Sequence, residues 1–342
     1  MDIVIRKMEP QEAKAVYNLG LKTFHSMEGI FMGKPKQAIV AVSGEEIVGG
    51  ITYSTHKYKD GVLGYVDYAF VNDKYHGRGI GSKLYTAAVR ELNGFGCTQV
   101  ISLVRGDNPG SFMLFERQNM QRCSMGEAKR LLGTSGWLYL LFRSVLSWGP
   151  AMDCYLSNAK KKCDGISQFF LYLLVNLAFL LLGIMVYKEQ MPLALAGAGT
   201  VMIVGSILGA SICLSEKGQY HFRLSTGGGY VTAIVSALGG FFPMFGKWYP
   251  QKFDGSEKQK AELGVSAIIE WVGILLLYVA MKEGFSGNAY AESVAYYSSV
   301  MTVFRMIPTF PFNEYGARRV YSYNKGQYAV LWILSGLVLY FV

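Results

Sequence analysis

Three glycines at alternate positions, Gly77, Gly79 and Gly81, stand between a stretch that reads as a strand and one that reads as a helix. Glycine lets backbone N–H groups approach an anion with no Cβ in the way, and a helix N-terminus adds about half a positive charge. A pyrophosphate is the group that such a loop suits. Two familiar phosphate loops are excluded. The P-loop needs Lys directly after its last Gly, whereas Gly81 is followed by Ser82 and only then Lys83. The dinucleotide fingerprint GxGxxG fails as well, because its last place falls on Ser82 or Leu84.

The elements that must position this loop follow from periodicity. Ile3 to Lys7 is a short alternating run, and Pro10 to Thr23 carries Ala13, Val16, Tyr17 and Leu21 at helical spacing. Ala38 to Val42 and Ile47 to Thr55 read as strands joined by a turn at Ser43–Glu46, and Gly64 to Val71 as a third strand. The loop follows, then a helix from about Ser82 to Leu92, a strand from Cys97 to Val104 and a helix from Pro109 to Gln118. An antiparallel meander followed by strand–helix–strand–helix is an α+β order.

Val71-Asn72-Asp73-Lys74-Tyr75-His76-Gly77-Arg78-Gly79-Ile80-Gly81-Ser82-Lys83-Leu84 resembles the acetyl-CoA motif of the GNAT superfamily of N-acetyltransferases, whose core is Gln/Arg-x-x-Gly-x-Gly/Ala. Asn108 to Met120 is similar to that family's downstream Asn-x-x-Ala-x-x-Leu-Tyr-x-x-x-Gly-Phe segment. The resemblance covers roughly residues 1 to 125. It implies an acyltransferase that uses acetyl-CoA as co-substrate, held by His76, Gly77, Arg78, Gly79, Ile80, Gly81, Ser82 and Asn108. Backbone N–H groups near Phe70 and Val71, where the strand splays from its neighbour, would polarise the thioester carbonyl.

The chain departs from the family pattern twice. His76 replaces the usual Gln or Arg, and Phe115 replaces a tyrosine that often protonates the leaving thiolate. Phenylalanine has no proton to give, so the acid is another residue or solvent. Asp67, four positions before Val71, is the first candidate for the base, with His25 and His56 as alternatives.

The 342 residues carry a formal charge of +9, but the basic residues form no long tract of the kind that tracks nucleic acid. Five scattered cysteines with no CxxC spacing indicate neither a zinc cluster nor a disulfide framework. The start of the chain, MDIVIRKMEP, lacks the apolar core of a signal peptide. Residues 1–158 read as a cytosolic acetyltransferase domain and 159–165 as a basic linker around Lys160, Lys161 and Lys162. Within the former, Leu131 to Phe142 is too short to span a bilayer and reads equally as an interfacial helix or a core helix.

From residue 166 to 342 the composition becomes that of an all-α membrane domain of about five spans. They are Ile166–Tyr187, Met191–Leu214, Glu262–Met281, Tyr290–Met306 and the short Tyr328–Val342, with Gly227–Phe245 as a re-entrant hairpin. Lys217, Arg223, Lys247, Lys252, Lys258, Lys260, Arg318, Arg319 and Lys325 fall on one side, against Lys188 and Lys282 on the other. That bias puts the acetyltransferase domain on the cytoplasmic side of an integral membrane protein.

Ser215 to Tyr220 at the end of a span, with Pro308 to Arg318 later, resembles intramembrane site-2 metalloproteases. Ser215 and Gln219 stand where that family has its histidines, Asn313, Glu314 and Gly316 lie near its Leu-Asp-Gly, and His221 is the only histidine of this half. The resemblance therefore implies a degenerate relative that holds no metal and cuts no peptide bond. Three classes of function follow. They are an N-acetyltransferase held on a bilayer and acting on an amine near it, a regulatory or scaffolding protein that senses acetyl-CoA, and a transporter or lipid-handling protein built on Glu270 and Arg305.

Overall fold

Small and β-branched residues dominate Ala38–Ser43 and Glu46–Tyr58, and both become strands of one sheet. The computed structural model describes residues 2–24, 32–58, 61–106, 108–144, 152–160, 165–214, 220–253 and 256–342. Its contacts divide into two units. The first comprises Met1–Val104, Asn108–Trp148 and Asp153–Lys162; the second comprises Arg105–Asp107, Gly149–Met152 and Cys163–Val342.

In the first unit β1 (Ile3–Lys7), β2 (Ala38–Ser43), β3 (Glu46–Tyr58), β4 (Gly61–Val71), β5 (Gln99–Val104), β6 (Met120–Arg122) and β7 (Asp153–Ser157) form one sheet in the order β1-β2-β3-β4-β5-β7-β6. Among the described strands only β4 and β5 pair in parallel. The helices are α1 (Ala13–Thr23), α2 (Ile80–Gly94), α3 (Pro109–Arg117) and α4 (Met125–Arg143). Gly50, Thr52, Ser54 and His56 on β3 oppose Phe70, Tyr68, Tyr65 and Leu63 on β4, so all eight share one face. On that face α1 packs Val16 against Phe70, and α4 packs Leu132 and Leu140 against Leu63 and Tyr65. The other face belongs to α2, whose Leu84 and Leu92 lie against Gly49 and Gly64.

For Leu131 to Phe142, inside α4, the sequence admits both an interfacial and a core helix. The buried residues of α4 are Ala128, Leu132, Gly136 and Leu140, one per turn along a single stripe, and the stripe faces the sheet. It is a core helix, bent at Gly133 where φ is +64°. The sequence reading also lacked β6 and β7. β6 has only three residues, β7 is buried along most of its length and so shows no alternation, and β7 joins the sheet only by pairing with β5 and β6.

The second unit contains α5 (Ile166–Leu180), a short helix Ile184–Tyr187, α6 (Met191–Gly209), β8 (Tyr220–Leu224), α7 (Gly229–Ala237), β9 (Gly246–Pro250), α8 (Glu257–Gly284), α9 (Ala289–Arg305), α10 (Ala317–Tyr323) and α11 (Lys325–Phe341). Two stretches are long and apolar enough to cross a membrane, Ile166–Leu214 and Glu257–Gly284, with mean hydropathies of 2.6 and 2.1. α9 and α11 have 17 residues each, which at the helical rise is about 26 Å.

The all-α expectation needs correction, since β8 and β9 form an antiparallel pair from Tyr220↔Pro250 to Leu224↔Gly246. Tyr220, Phe222 and Leu224 alternate with His221 and Arg223, a pattern of period two inside a region read for helices. The apolar segment Gly227–Phe245 holds α7, and the chain from 240 to 245 is non-helical. Polar side chains hold that stretch. Asn176 accepts from the Met244 N–H (2.6 Å) and donates to the Met244 carbonyl (3.3 Å), and Tyr315 donates to the Pro243 carbonyl (2.9 Å).

Glu270 and Arg305, singled out from the sequence as charges within apolar runs, pair with each other, and Glu270 also pairs with Lys247 of β9. All three are buried. The next residue, Trp271, packs with Ala267, Val320 and Leu331 and donates to Ser335 of α11 (2.9 Å).

Two substitutions test this packing. Leu132→Ala empties a fully buried site and is expected to cost about 2–5 kcal/mol, whereas Leu138→Ala, on the outer side of the same helix, stays within about 0.5 kcal/mol. Equal shifts of the calorimetric unfolding midpoint for the two would contradict the assigned face. Glu270→Gln strands two buried cations and is expected to cost about 3–5 kcal/mol, read as a lower midpoint of the detergent-solubilised protein.

Candidate functional site

β4 and β5 run together from Leu63↔Gln99 to Val66↔Ser102 and then part. Past that point β5 pairs with β7, Leu103↔Cys154 and Val104↔Asp153, while β4 continues from Asp67 to Val71 against β3 alone. The register between β3 and β4 shifts at the parting point. Thr52 faces Tyr68 and Tyr53 faces Val66, which leaves Asp67 as the extra residue of a β-bulge.

The parting frees backbone donors. The Asn72 N–H donates to the Val48 carbonyl (2.8 Å), and antiparallel alternation then pairs Phe70 with Gly50 in the same way. The N–H groups of Ala69 and Val71 consequently face the edge that β5 has left. Of the pair expected from the sequence, Val71 therefore presents its N–H there. Phe70 turns its N–H toward β3 and buries its ring in the cluster with Val16 and Val40.

After β4 the chain makes a single turn at Asp73–Tyr75, which Asn72 caps by accepting from the Lys74 N–H (3.2 Å). The His76 ring Nε2–H donates back to the Val71 carbonyl (2.9 Å), closing the loop onto the end of the strand. This contact uses the ring that stands where the resembled motif has Gln or Arg. The Arg78 guanidinium lies 5.1 Å from the centroid of the Tyr75 ring.

Gly77 and Gly79 have φ of +77° and +71°, and Gly79 is the N-cap of α2. No side chain caps the helix, so the N–H groups of Ile80, Gly81 and Ser82 have no acceptor within it. Gly81 itself has an ordinary helical backbone, and a Cβ there would make only a 3.7 Å contact with Leu114. Asn108 stands just before α3, where its carbonyl accepts from the Ser111 N–H (3.1 Å).

Phe115, near the end of α3, has no proton to donate. Phe115 is 1% exposed, edge-on to Tyr85 at 5.1 Å and tilted against Tyr155 at 4.8 Å. The Tyr85 hydroxyl lies 3.4 Å from Ser102, at the fork, and burial pushes its pKa far above the ordinary phenol value.

Asp67 is not alone. Arg143 at the end of α4 forms a salt bridge with Oδ1, and Ser54 donates to Oδ2 (3.2 Å). Arg143 also donates to Ser54 (3.0 Å) and lies 4.6 Å from the centroid of the Tyr65 ring. Burial pushes the Asp67 carboxyl above the usual carboxylate range, and the adjacent guanidinium opposes this. The sequence offered no signal for Arg143, which is 76 residues away in the chain and reaches Asp67 only through the packing of α4. Of the alternative bases, His56 is stacked on Tyr139 with ring centroids 3.4 Å apart, and His25 lies outside the described residues. So do Ser215 to Gln219, the first half of the protease-like pattern.

Residues 6–120 match the sequence profile of the family described as Acetyltransferase (GNAT) family. Similar solved structures include a GNAT-family acetyltransferase from Streptococcus pneumoniae, 17% identical, covering 35% of this chain and 86% of that one with a TM-score of 0.31. Another is the aminoglycoside N-acetyltransferase AAC(6')-Iy in complex with CoA, at 18% identity, 34% and 86% coverage and a TM-score of 0.28. Ard1 from Thermoplasma volcanium is 18% identical, with 36% and 86% coverage and a TM-score of 0.30. No curated protein matches the chain.

Removing the guanidinium tests the ion pair. In Arg143→Met the Asp67 carboxyl loses its counter-charge, and a lone buried carboxylate holds its proton more tightly. Its titration, followed by NMR of labelled aspartate, is expected at higher pH than in the wild type. An unmoved midpoint would mean that the two groups do not interact in solution.

Proposed function

We propose that the acetyltransferase domain at residues 6–120 moves an acetyl group from acetyl-CoA to a primary amine, and that the helical unit keeps it at a membrane, on the cytoplasmic side. The observation that carries the transfer is the pairing of two sets of bare N–H groups at neighbouring points of one chain segment. Those of Ile80, Gly81 and Ser82 open α2, and those of Ala69 and Val71 line the edge of β4. The first set suits the pyrophosphate of the co-substrate. The second suits the oxyanion that forms when an amine attacks the thioester carbonyl.

In this reading the acceptor ammonium gives a proton to Asp67 or to water beside it. The free amine then forms a C–N bond at the carbonyl carbon. Collapse of the tetrahedral oxyanion breaks the C–S bond, and the thiolate takes a proton from solvent, since Phe115 has none to give. The products are an amide, free CoA thiol and one released proton.

The membrane assignment rests on the two crossing-length stretches and on large apolar side chains turned outward along the second unit. Phe170, Leu174, Met185, Ile207, Leu276 and Ile333 are all more than half exposed. Water would penalise such a surface, and lipid would not. The non-helical stretch from 240 to 245, satisfied by Asn176 and Tyr315, is compatible with a segment that enters the bilayer inside protein. The likeness to site-2 proteases is read as a non-proteolytic, metal-free remnant.

A second reading, an acetyl-CoA sensor with little turnover, is favoured by the buried Phe115 and by the guanidinium that occupies Asp67. Release of CoA thiol by the purified protein, with and without an amine, separates the two.

Gly79→Val forces a β-branched residue to a left-handed φ and tilts the first turn of α2. Acetyl-CoA affinity by calorimetry is expected to fall at least about tenfold. Gly81→Val keeps its φ and should lose less. Equal affinity in the wild type and Gly79→Val would remove the loop from the binding site.

A further inference from the structure

The parted edge of β4 brings one carboxylate and one guanidinium to the same point. Asp67 sits in the bulge with Oδ1 on Arg143 and Oδ2 on Ser54. Arg143 holds its guanidinium against the Tyr65 ring, and Tyr65 is itself buried. Its bonds to Asp67 and Ser54 both come from Nη2, so Nε and Nη1 have no hydrogen-bond partner among the described residues. The Arg143 side chain is 33% exposed and that of Asp67 19%, so the pair is partly open to solvent.

For Asp67 to take a proton from an ammonium, its bond to Arg143 must open or be exchanged. The pair is neutral as it stands. A simple monocationic amine arriving there would leave Arg143 uncompensated beside a second cation, in a partly buried place where like charges repel strongly. An amine that brings its own anion avoids this. Its ammonium takes the Asp67 oxygen, its anion takes the free edge of the guanidinium, and the site stays neutral throughout. A planar fork fixed by an aromatic ring suits a carboxylate or a phosphate, which it can grip through two N–H groups.

We infer that the acceptor is a primary amine carrying an oxyanion a few bonds away, its ammonium facing Asp67 and its oxyanion facing Arg143. The inference rests on the acetyltransferase reading above and narrows it. The same chemistry occurs in an α-amino acid, in phosphoethanolamine and in the headgroup of an ethanolamine phospholipid. The transfer balances as before, with C–S broken, C–N formed and the ammonium proton passed to Asp67. Arg143 is a binding residue for the oxyanion and takes no part in proton transfer.

The test uses the full-length, detergent-solubilised protein with acetyl-CoA and four acceptors: glycine, O-phosphoethanolamine, phosphatidylethanolamine in mixed micelles, and ethanolamine as the amine without an anion. Thiol release and product mass are read for each. At least one anion-bearing acceptor is expected to exceed ethanolamine about tenfold or more in kcat/KM. Which of them does so separates an amino acid from a free phosphate and from a lipid headgroup. In Arg143→Met the ratio should collapse toward one, and in Arg143→Lys, which keeps the charge but loses the fork, it should fall part of the way. Acetyl-CoA affinity by calorimetry checks that each variant retains its fold.

Ethanolamine turned over as fast as every anion-bearing acceptor would overturn the inference and leave the acetyltransferase reading standing. A wild-type ratio that survives Arg143→Met would do the same. No acetyl-CoA binding and no acetylated product from any acceptor would overturn both.

Discussion

The first unit depends on the parting of β4 from β5 after Val66↔Ser102. A parallel pair shares its backbone donors and acceptors evenly, so while it lasts the two strands have nothing to offer a ligand. Once β5 turns to β7, the next residues of β4 keep only one partner strand and present their other edge. The bulge at Asp67 sits where this begins. It turns one carboxylate onto the face shared by α1 and α4, and the glycine loop closes the far end through His76 and Val71. A carboxylate, an open edge and an uncapped helix start thus fall within one short run of chain, from Asp67 to Ser82.

Much of this was legible in the sequence because it is local. The loop, the strand before it and the helix after it are contiguous, and Gly77 and Gly79 take left-handed φ values that other residues avoid. The strands from β1 to β5 were legible through alternation. Arg143 was not, because its partner is set by how α4 crosses the sheet and not by any spacing along the chain. The direction of each N–H on β4 was hidden as well, since a bulge reverses the alternation and nothing in Tyr65 to Val71 announces one. β7 was missed because its residues Asp153 to Ser157 acquire meaning only beside β5.

The second unit is governed by a different constraint, the need to satisfy polar groups in an apolar setting. Asn176, Tyr315 and Tyr187 spend their polar atoms on the backbone of one non-helical stretch. Glu270 joins a strand to a helix by holding Lys247 and Arg305 together. Composition could find Glu270 and Arg305, as charges where charges are rare. It could not find the third member, because Lys247 lies on a strand that helical periodicity does not look for.

The stretch that matches the acetyltransferase profile ends at Met120, but the sheet does not. β7, drawn from well past that point, lies on the outer side of β5, and β6 lies on the outer side of β7. A shortened protein that stopped at the end of the motifs would leave Ile101 and Leu103 on a naked edge, with the α4 stripe that covers Leu63 also gone. An open apolar edge is a template for another chain. Such a fragment would hold every residue the loop needs and still be prone to self-association into sheets, so the smallest piece able to remain soluble is set by β7 and not by the site.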